Sequence, residues 1–506
     1  MRAVWMIVSF CLAAALVRGE DLRTPKPGPE PRINGPKIYG ARPGRPFLYR
    51  IPATGERPMK FSAEGLPEGL SLDEDTGIIR GRTPGERGEY RLTLRAENRH
   101  GADERAFKIV AGDTLALTPP MGWNHWYTHY YRITDGHIRR AAKAMIDSGM
   151  ADYGYQYVNI DDCWMVKPGS DDPMIGGPAR NPDGTIRPNR HFPDMKALTA
   201  YIHSLGLKTG IYTSPGPLTC QRYEGAWRHE EIDARTFAEW GFDFLKYDWC
   251  SYGRVKKPET LADHQEPYRK MGAILARLDR DIVFNLCQYG RAEVWKWGRE
   301  VGGNCWRTTG DLGLAQGDRL PGFYHIGLRN ARLWEYAGPG GWNDPDYILI
   351  GYYGEARGMK EPRKTPLTAA EQYSYMSMWA LMAAPLFFSG DMERLDEFTL
   401  NVLCNAEVIE VNQDALGKQA RIVRESGDEL ILAKPLEDGS LAVGLFNLAE
   451  GEREIRVSWE ELGLSGPQAA RDLWRQRDLG QVRGSYAATL PRHDVALVRL
   501  RPAKSE

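Results

Sequence analysis

The amino-acid sequence predicts a multidomain protein in which a (β/α)8 TIM barrel is flanked by two β-sandwich domains. Three observations carry this prediction. At 506 residues, the chain is too long for a single hydrophobic core. Its central part, residues 117–412, alternates strand and helix patterns. The parts on either side show strand patterns without a helical period.

The first residues have the composition of a secretory signal peptide followed by a linker. Arg2 precedes an apolar run over residues 3–17, and the small Gly19 stands before an acidic pair. The run is shorter than the about 20 residues of a membrane span, although a membrane anchor is the alternative. We therefore expect a cleaved signal peptide over residues 1–19, a secreted or periplasmic protein, and a proline-rich linker over residues 20–36.

Short alternating strand patterns over residues 37–113 predict the first β-sandwich. They recur with turn residues between them, for example at residues 47–51 and 90–94. The stretch at residues 65–81 resembles the immunoglobulin-like modules that are often joined to bacterial polysaccharide enzymes. This resemblance implies an Ig-like fold and carries no information about chemistry.

Eight apolar strand patterns alternate with helices in the central part. They cover residues 121–126, 157–160, 208–212, 242–247, 282–287, 305–309, 340–342 and 385–389. Helices are predicted around Ile138, at 261–278 and at 367–382, and Thr134 is placed to cap the first of them. Eight such units favour a closed barrel over the alternative, a doubly wound open sheet.

Strand patterns return without helices over residues 417–503. They predict a C-terminal antiparallel β-sandwich.

Composition limits the classes of partner and cofactor. The formal net charge is -1, which gives no support to a nucleic-acid or anionic-membrane partner. Cys11 lies in the apolar N-terminal run, and the other six of the seven cysteines are Cys163, Cys220, Cys250, Cys287, Cys305 and Cys404. An even number in an exported protein permits disulfides. None has the CxxC spacing of a zinc cluster, so we expect no metal and no other cofactor.

Acidic side chains stand at the ends of four predicted barrel strands. They are Asp161 and Asp162 after the second strand, Asp248 at the fourth, Asp311 after the sixth, and Asp344 and Asp346 at the seventh. In a barrel these strand ends line the active-site bowl. A glycosidase needs one carboxylate as nucleophile and another as acid, and further carboxylates accept hydrogen bonds from sugar hydroxyls. A site for a hard cation such as Mg²⁺ or Ca²⁺ is the competing interpretation.

Two basic residues and several tryptophans accompany these carboxylates. Lys246 lies two residues before Asp248, hence on the same strand face, and Arg307 lies four residues before Asp311. A cation beside a carboxylate lowers the carboxylate's pKa and replaces part of what a metal would supply. Tryptophans at the strand ends can stack on the apolar face of a sugar, although each alone also fits core packing: Trp126, Trp164, Trp306 and Trp342.

A series of motifs resembles glycoside hydrolase family 27 and follows the family's order. The motifs are MGWNHW at 121–126, IDDCW at 160–164, GIY at 210–212, LKYD at 245–248, the stretch 338–346, and VNQD at 411–414 with 416–419. The resemblance runs from about Thr118 into the C-terminal sandwich. It implies a retaining exo-glycosidase that removes terminal α-galactosyl residues from oligosaccharides or polysaccharides by double displacement.

The resemblance also implies a role for each matching residue. Asp248 stands at the nucleophile position and Asp311 at the acid/base position. The implied substrate-binding residues are Trp126, Asp161, Asp162, Tyr212, Lys246, Gln288, Arg307 and Asp346, of which the pair Asp161 and Asp162 binds the 4-OH and 6-OH. A disulfide between Cys220 and Cys250 is implied at the pocket edge, and a second one between Cys287 and Cys305.

The chain departs from the family's pattern near the pocket. Gln288 stands where many members have a Glu that accepts from the sugar 2-OH, Tyr347 replaces a Met, and Trp249 replaces a Gly. Because Gln288 is not small, galactose is favoured over N-acetylgalactosamine. Asp161 favours a sugar with a 6-OH over an arabinopyranoside. The alternatives are an α-N-acetylgalactosaminidase, another exo-α-glycosidase of the family, or, in a different class, a non-catalytic carbohydrate-binding surface protein.

Overall fold

The computed structural model describes residues 22–314, 317, 319–354 and 361–503. The predicted signal peptide, residues 1–19, lies outside this part of the chain. Within it, no helix combines the length and the apolar character that a membrane crossing requires.

An Ig-like β-sandwich forms the N-terminal domain. Its strands are Arg32–Ile33, Ile38–Ala41, Pro46–Arg50, Ala53–Thr54, Lys60–Glu64, Leu70–Asp73, Ile78–Arg82, Gly88–Asn98 and Gly101–Ala111. A four-stranded and a three-stranded sheet face each other. Alternate side chains such as Phe61, Leu94 and Ile109 point inward and form a core separate from that of the barrel.

The start of the segment predicted as a linker packs against the other domains. Arg23 forms a buried bidentate ion pair with Asp494 in the C-terminal domain, at 2.7 Å for each bond. Thr24 exchanges hydrogen bonds with Asn401 of the barrel. A proline-rich composition predicts an extended path but cannot reveal these partners, because they lie far along the chain.

Eight parallel strands close into the predicted barrel. In order they are Met121–Asn124, Tyr157–Asn159, Lys208–Thr213, Phe244–Asp248, Val283–Cys287, Cys305–Arg307, Trp342–Asp344 and Leu386–Phe388. The first pairs with the eighth, and Ile348, just after the seventh, bridges to Phe388 and completes the ring. The sixth strand ends at Arg307, earlier than predicted, so the segment that leads to Asp311 is a loop.

Helices surround the barrel. The longer ones are Asp135–Asp147, Met195–Ser204, Glu230–Trp240, Leu261–Leu275, Gly322–Ala331, Ala369–Leu381, Glu397–Leu403 and Ala406–Asn412. The Thr134 side chain caps the first by accepting from the backbone N–H of His137, as predicted. Thr260 and Thr368 form capping boxes at two others. These caps fix the start of each helix and therefore the length of the loop that carries the strand-end residues.

An antiparallel β-sandwich forms the C-terminal domain. Its strands are Arg421–Ser426, Glu429–Pro435, Leu441–Asn447, Arg453–Ser458, Gln468–Asp472, Arg477–Val482, Ser485–Leu490 and Val495–Pro502, with a short helix at Trp459–Leu462. The barrel helix Ala369–Leu381 is almost entirely buried and packs on Leu441–Asn447 and Val495–Pro502. Burial on all sides is typical of a helix that lies between two layers, and its few polar side chains, such as Ser374, are hydrogen-bonded there.

Arg42 joins the N-terminal domain to the barrel. Its backbone N–H and its guanidinium both donate to the carboxylate of Asp281. The guanidinium also donates to backbone carbonyl oxygens at and just beyond the end of the helix Leu261–Leu275, those of Leu275, Ala276, Leu278 and Arg280. The last carbonyl groups of a helix have no partner within the helix, so Arg42 supplies one from another domain.

Candidate active site

The carboxyl ends of the barrel strands bring the predicted acidic residues into one bowl. Five of the six are buried: Asp161, Asp162, Asp248, Asp344 and Asp346. Asp311 differs, because its side chain is 32% exposed. Asp248 and Asp311 lie close enough for the charge of Asp311 to act on the pKa of Asp248. The bowl thus contains one buried and one accessible carboxyl group next to each other.

Two phenol groups hold the carboxylate of Asp248. The hydroxyl of Tyr212 donates to Oδ2 at 3.0 Å, and that of Tyr289 donates to Oδ1 at 2.6 Å. Burial raises the pKa of Asp248 to about 6, against the opposing effects of Lys246 and the Tyr289 hydrogen bond. Above this pH the group is a buried anion with both oxygens oriented, as a nucleophile requires.

Lys246 pairs with Asp161 and not with Asp248. Its Nζ lies 2.7 Å from Asp161 Oδ2, which also accepts from Asn124 Nδ2 at 3.0 Å and from the Tyr347 hydroxyl at 3.1 Å. Burial alone would raise the pKa of Asp161, but the Lys246 ammonium and further donors hold it below its ordinary value. Lys246 therefore lowers the pKa of Asp248 without contacting it, and its direct partner is the carboxylate of Asp161.

Asp162 is held by backbone groups. Its Oδ1 accepts from the N–H of Cys163 at 2.7 Å and its Oδ2 from the N–H of Gln221 at 3.0 Å. Burial nevertheless raises the pKa of Asp162 to about 7. The bond to Gln221 connects Asp162 to the loop that begins after the third strand.

The predicted disulfide is present at the edge of this bowl. Cys220 and Cys250 are bonded, with their Cα atoms 5.0 Å apart. Cys220 Sγ lies 4.0 Å from Asp248 Oδ2 and 3.8 Å from the Tyr289 hydroxyl. The two sulfur atoms and Asp248 form the one cluster of three potential metal-ligating groups in the described residues. Sulfur atoms bonded to each other are not thiolate ligands.

The second expected disulfide, between Cys287 and Cys305, does not form. Both cysteines are free and buried. In the strand register Cys305 lies level with Asn285, whose Nδ2 donates to its Sγ at 3.0 Å. Cys287 lies two residues further along the fifth strand, next to Arg307. The two thiols therefore sit at different levels of the barrel, an offset that spacing along the chain does not show.

Arg307 connects the candidate acid/base to the barrel wall. Its Nη2 lies 3.3 Å from Asp311 Oδ1 and 3.2 Å from Asp346 Oδ2. Burial opposes its charge, but these carboxylates raise the pKa of Arg307 well above its ordinary value. Asp346 Oδ2 also accepts from the Leu312 N–H at 2.8 Å and the Tyr127 hydroxyl at 3.0 Å. Asp311 is thus positioned by a network centred on Asp346.

Gln288 and Tyr289 form an unusual turn after the fifth strand. Tyr289 has a φ of 65°, a left-handed conformation that costs energy in a residue with a side chain. Gln288 is buried, and its Nε2 donates to the carbonyl oxygen of Arg291 at 3.0 Å. This bond closes the turn that directs the Tyr289 hydroxyl to Asp248. Gln288 Oε1 is buried and has no partner in the described residues.

The tryptophans at the strand ends divide into two groups. Three are fully buried and serve the core: Trp164, Trp306 and Trp342. Trp126 is only partly buried and packs on Tyr130, so it is the one of the four that the structure leaves accessible. Trp249 is also buried and stacks on Tyr268.

Four residues of the bowl were not among the predicted site residues: Asn124, Tyr127, Tyr289 and Tyr347. Tyr289 and Tyr347 follow strand ends, as the carboxylates do. Extending the strand-end rule from acids to tyrosines would have identified them. Tyr127 follows the first strand end by three residues, as Tyr347 follows the seventh, so the same rule includes it; only its contact with Asp346 depends on another strand.

The chain matches known families over most of its length. Residues 118–414 match the family model of α-galactosidase A, residues 426–500 the α-galactosidase C-terminal β-sandwich domain, and residues 30–112 an Ig domain model. An α-galactosidase of Cyamopsis tetragonoloba is 37% identical over 417 residues, which cover 81% of this chain and 93% of that protein.

Solved structures show the same similarity. A chain from Bacteroides fragilis has a TM-score of 0.85 at 36% identity and covers 95% of this chain and 100% of its own. A Saccharomyces cerevisiae α-galactosidase, solved with raffinose, has a TM-score of 0.68 at 26% identity, with 77% and 98% of the two chains covered. The matches and the strand-end carboxylates agree. The chain belongs to the α-galactosidase (melibiase) family, glycoside hydrolase family 27.

Proposed function

We propose that this protein is a retaining exo-α-galactosidase that cleaves terminal α-galactosyl residues from oligosaccharides or polysaccharides. The observation that supports it best is the pair of carboxyl groups in the bowl. Asp248 is buried and held at both oxygens, whereas Asp311 is accessible and held by Arg307. Two neighbouring carboxyl groups in such different surroundings suit a nucleophile and an acid/base.

In the first step Asp248 attacks the anomeric carbon and the bond to the leaving oxygen breaks. Asp311 donates its proton to that oxygen, and a covalent galactosyl-enzyme forms. The exposure of Asp311 fits this role, because its carboxyl group must reach both the departing group and incoming water. In the second step Asp311, now ionised, takes a proton from a water molecule, which attacks the same carbon and releases Asp248.

The charge of the bowl favours the transition state of both steps. Six carboxyl groups accompany two cations, Lys246 and Arg307, so the bowl is acidic unless several carboxyl groups are protonated. A glycosidic transition state carries positive charge on the sugar ring. Fixed carboxylates in a buried site stabilise that charge without reorganising.

The substrate proposal rests on relatives and on retained residues. The Cyamopsis tetragonoloba relative is an α-galactosidase, and the Saccharomyces cerevisiae relative was solved with raffinose. Asp161 and Asp162 lie together at the second strand end, where the family resemblance predicts contacts with the 4-OH and 6-OH. Terminal galactose with both hydroxyls is therefore the sugar that this bowl fits best.

The direct experiment is hydrolysis of p-nitrophenyl α-galactoside against p-nitrophenyl α-N-acetylgalactosaminide, with the first-formed sugar followed by NMR. We expect the galactoside to be strongly preferred and α-galactose to appear first. Preference for the acetamido sugar would favour the α-N-acetylgalactosaminidase alternative. If β-galactose appeared first, the enzyme would be inverting and not retaining. If no α-glycoside were hydrolysed, the non-catalytic carbohydrate-binding alternative would be favoured.

A contact between Gln288 and the sugar 2-OH remains part of the proposal. It depends on Oε1, because Nε2 is engaged by Arg291. A direct contact predicts that Gln288→Ala and a 2-deoxygalactoside cause coupled losses in kcat/KM, since both remove one hydrogen bond. Additive losses would show that Gln288 does not contact the sugar 2-OH and only closes its own turn.

We also propose that the protein is exported. The support is the signal-like composition of residues 1–19 together with the Cys220–Cys250 disulfide, which persists in oxidising compartments. Fractionation of cells that express the full chain tests this, and a cytoplasmic protein with an uncleaved N-terminus would contradict it.

A further inference from the structure

A cavity separates the N-terminal domain from the lower face of the barrel. We call it the interface cavity. It has a volume of about 480 Å³, and its wall comes from both domains and from the segment that joins them. Lys208, in this wall, begins the third barrel strand, so the cavity lies at the opposite end of the strands from the catalytic bowl. Its volume is in the range of small-molecule sites, about 300–1,000 Å³.

Lys208 brings an ammonium group to this cavity without a hydrogen-bond acceptor. The residue is 6% exposed. In the described part of the chain its Nζ forms no hydrogen bond or ion pair, and two ring centroids lie near it, that of Tyr39 at 4.2 Å and that of Tyr157 at 5.9 Å. Aromatic faces offset part of the lost hydration, but they leave its three N–H donors without acceptors. Burial lowers the pKa of Lys208 to about 8, so the group is still mostly protonated at pH 7.

The two carboxylates of the wall already have other side-chain partners. Asp243 lies 2.8 Å from His203 Nε2 and 2.7 Å from Arg280 Nη1. Asp281 pairs with Arg42, the residue that docks the N-terminal domain. Neither carboxylate forms an ion pair with Lys208, although both favour its charged form from a distance.

The rest of the wall adds positive charge and apolar surface. Arg80 Nη2 donates to the carbonyl oxygens of His203 and Ser204, at 2.9 and 3.0 Å, which are neutral acceptors. Ile38, Leu48, Leu117 and the face of Tyr39 supply the apolar part. The wall therefore has more cationic than carboxylate side chains. Next to the cations it has an apolar surface against which the ring of a small molecule can pack.

We propose that the interface cavity binds a small organic carboxylate, whose acid group pairs with Lys208 and whose ring lies against Tyr39. An acidic monosaccharide and a non-sugar ring carboxylate share this chemistry. The bound acid supplies the acceptors that the ammonium lacks. Because Tyr39 belongs to one domain and Lys208 to the other, the ligand also holds the two domains together.

Isothermal titration of the full chain tests this site with two probes, D-galacturonate and cyclohexanecarboxylate. Saturating D-galactose is present throughout to fill the catalytic bowl. We expect one equivalent of at least one probe to bind. Lys208→Met should weaken binding at least tenfold, and Tyr39→Leu, a change on the other domain, should weaken it several-fold.

Lys434→Met is the matched control. Lys434 is also a buried lysine whose pKa burial lowers to about 8, but it lies in the C-terminal domain and donates to the carbonyl oxygen of Lys418. Its replacement should leave binding unchanged. Binding of galacturonate alone identifies an acidic sugar, and equal binding of both probes identifies a general ring carboxylate.

Two results would overturn the proposal: no saturable binding of either probe at millimolar concentration while galactose fills the bowl, or equal affinity in the Lys208→Met protein. Circular dichroism of each variant shows whether it is folded. If Lys208→Met does not fold, Tyr39→Leu decides, and its unchanged affinity would equally overturn the proposal.

Discussion

At the residue scale, the pKa of Asp248 determines when the proposed nucleophile is available. Burial raises this pKa to about 6, whereas the hydrogen bond from Tyr289 and the charge of Lys246 lower it. A carboxyl group with a raised pKa is protonated, and therefore not nucleophilic, as the pH falls through that value. We expect kcat/KM to decline on the acid side of about pH 6 for this reason.

Tyr289→Phe tests the bond to Asp248 directly. Loss of the 2.6 Å hydrogen bond should move the acid limb of kcat/KM to higher pH and lower kcat/KM about tenfold, since a hydrogen bond to a charged group contributes about 1.5–3 kcal/mol. The pH profile is measured on an aryl α-galactoside. Tyr247→Phe is the control, because the Tyr247 hydroxyl is buried and has no partner in the described residues. An unshifted acid limb in Tyr289→Phe would show that the bond does not tune Asp248.

At the element scale, the Cys220–Cys250 disulfide closes the loop between the third and fourth strand ends. The bonded residues are 30 apart in sequence, for which chain-entropy arguments give about 3–4 kcal/mol of stabilisation. We expect the double variant Cys220→Ser, Cys250→Ser to unfold at lower urea concentration, and dithiothreitol to lower the midpoint of the wild type only. A midpoint of the wild type that dithiothreitol does not change would contradict the prediction.

Arg42 provides the second element-scale prediction. Arg42→Ala removes the guanidinium from Asp281, which keeps only the backbone N–H of residue 42, and from several helix-end carbonyl groups. It should therefore cost about 2–3 kcal/mol and expose residues 112–120 to proteolysis. Arg45→Ala is the control, because Arg45 pairs with Asp279, whose side chain is 94% exposed. Such a surface pair contributes at most about 1 kcal/mol. If Arg42→Ala and Arg45→Ala had equal effects on stability and proteolysis, Arg42 would have no special role in docking the N-terminal domain.

Local patterns predicted the elements of this fold well and the contacts between elements poorly. The eight barrel strands and the Thr134 cap follow from periodicity and from residue type, which are local properties. The absent Cys287–Cys305 bond depends on strand register, and the partner of Lys246 depends on which side chain crosses the bowl. Both are relations between strands, and no pattern within one strand specifies them.

At the scale of the whole molecule, the domains are joined by ion pairs between distant parts of the chain and by apolar packing between the barrel and the C-terminal sandwich. Arg23 binds Asp494, Arg42 binds Asp281, and the buried helix Ala369–Leu381 lies between the barrel and the C-terminal sandwich. The catalytic bowl and the interface cavity lie at opposite ends of the same barrel.

The ion pairs of the bowl predict that activity does not require a metal. Lys246 pairs with Asp161, and Arg307 pairs with Asp311 and Asp346, so these carboxylates already have cationic partners. We expect the hydrolysis rate to be the same before and after dialysis against EDTA. Loss of activity that Ca²⁺ or Mg²⁺ restores would favour the cation interpretation of the acidic cluster.

Azide rescue of Asp248→Ala tests whether Asp248 is the nucleophile of a retaining α-galactosidase. Asp248→Ala should abolish hydrolysis of p-nitrophenyl α-galactoside, since no covalent intermediate can form. Azide fits the space left by the carboxylate and attacks from the same side of the sugar, so added azide should restore release of nitrophenol and give β-galactosyl azide. NMR of the product decides: the β-azide is the predicted result, and an α-azide, or hydrolysis that survives the substitution without azide, would contradict the assignment.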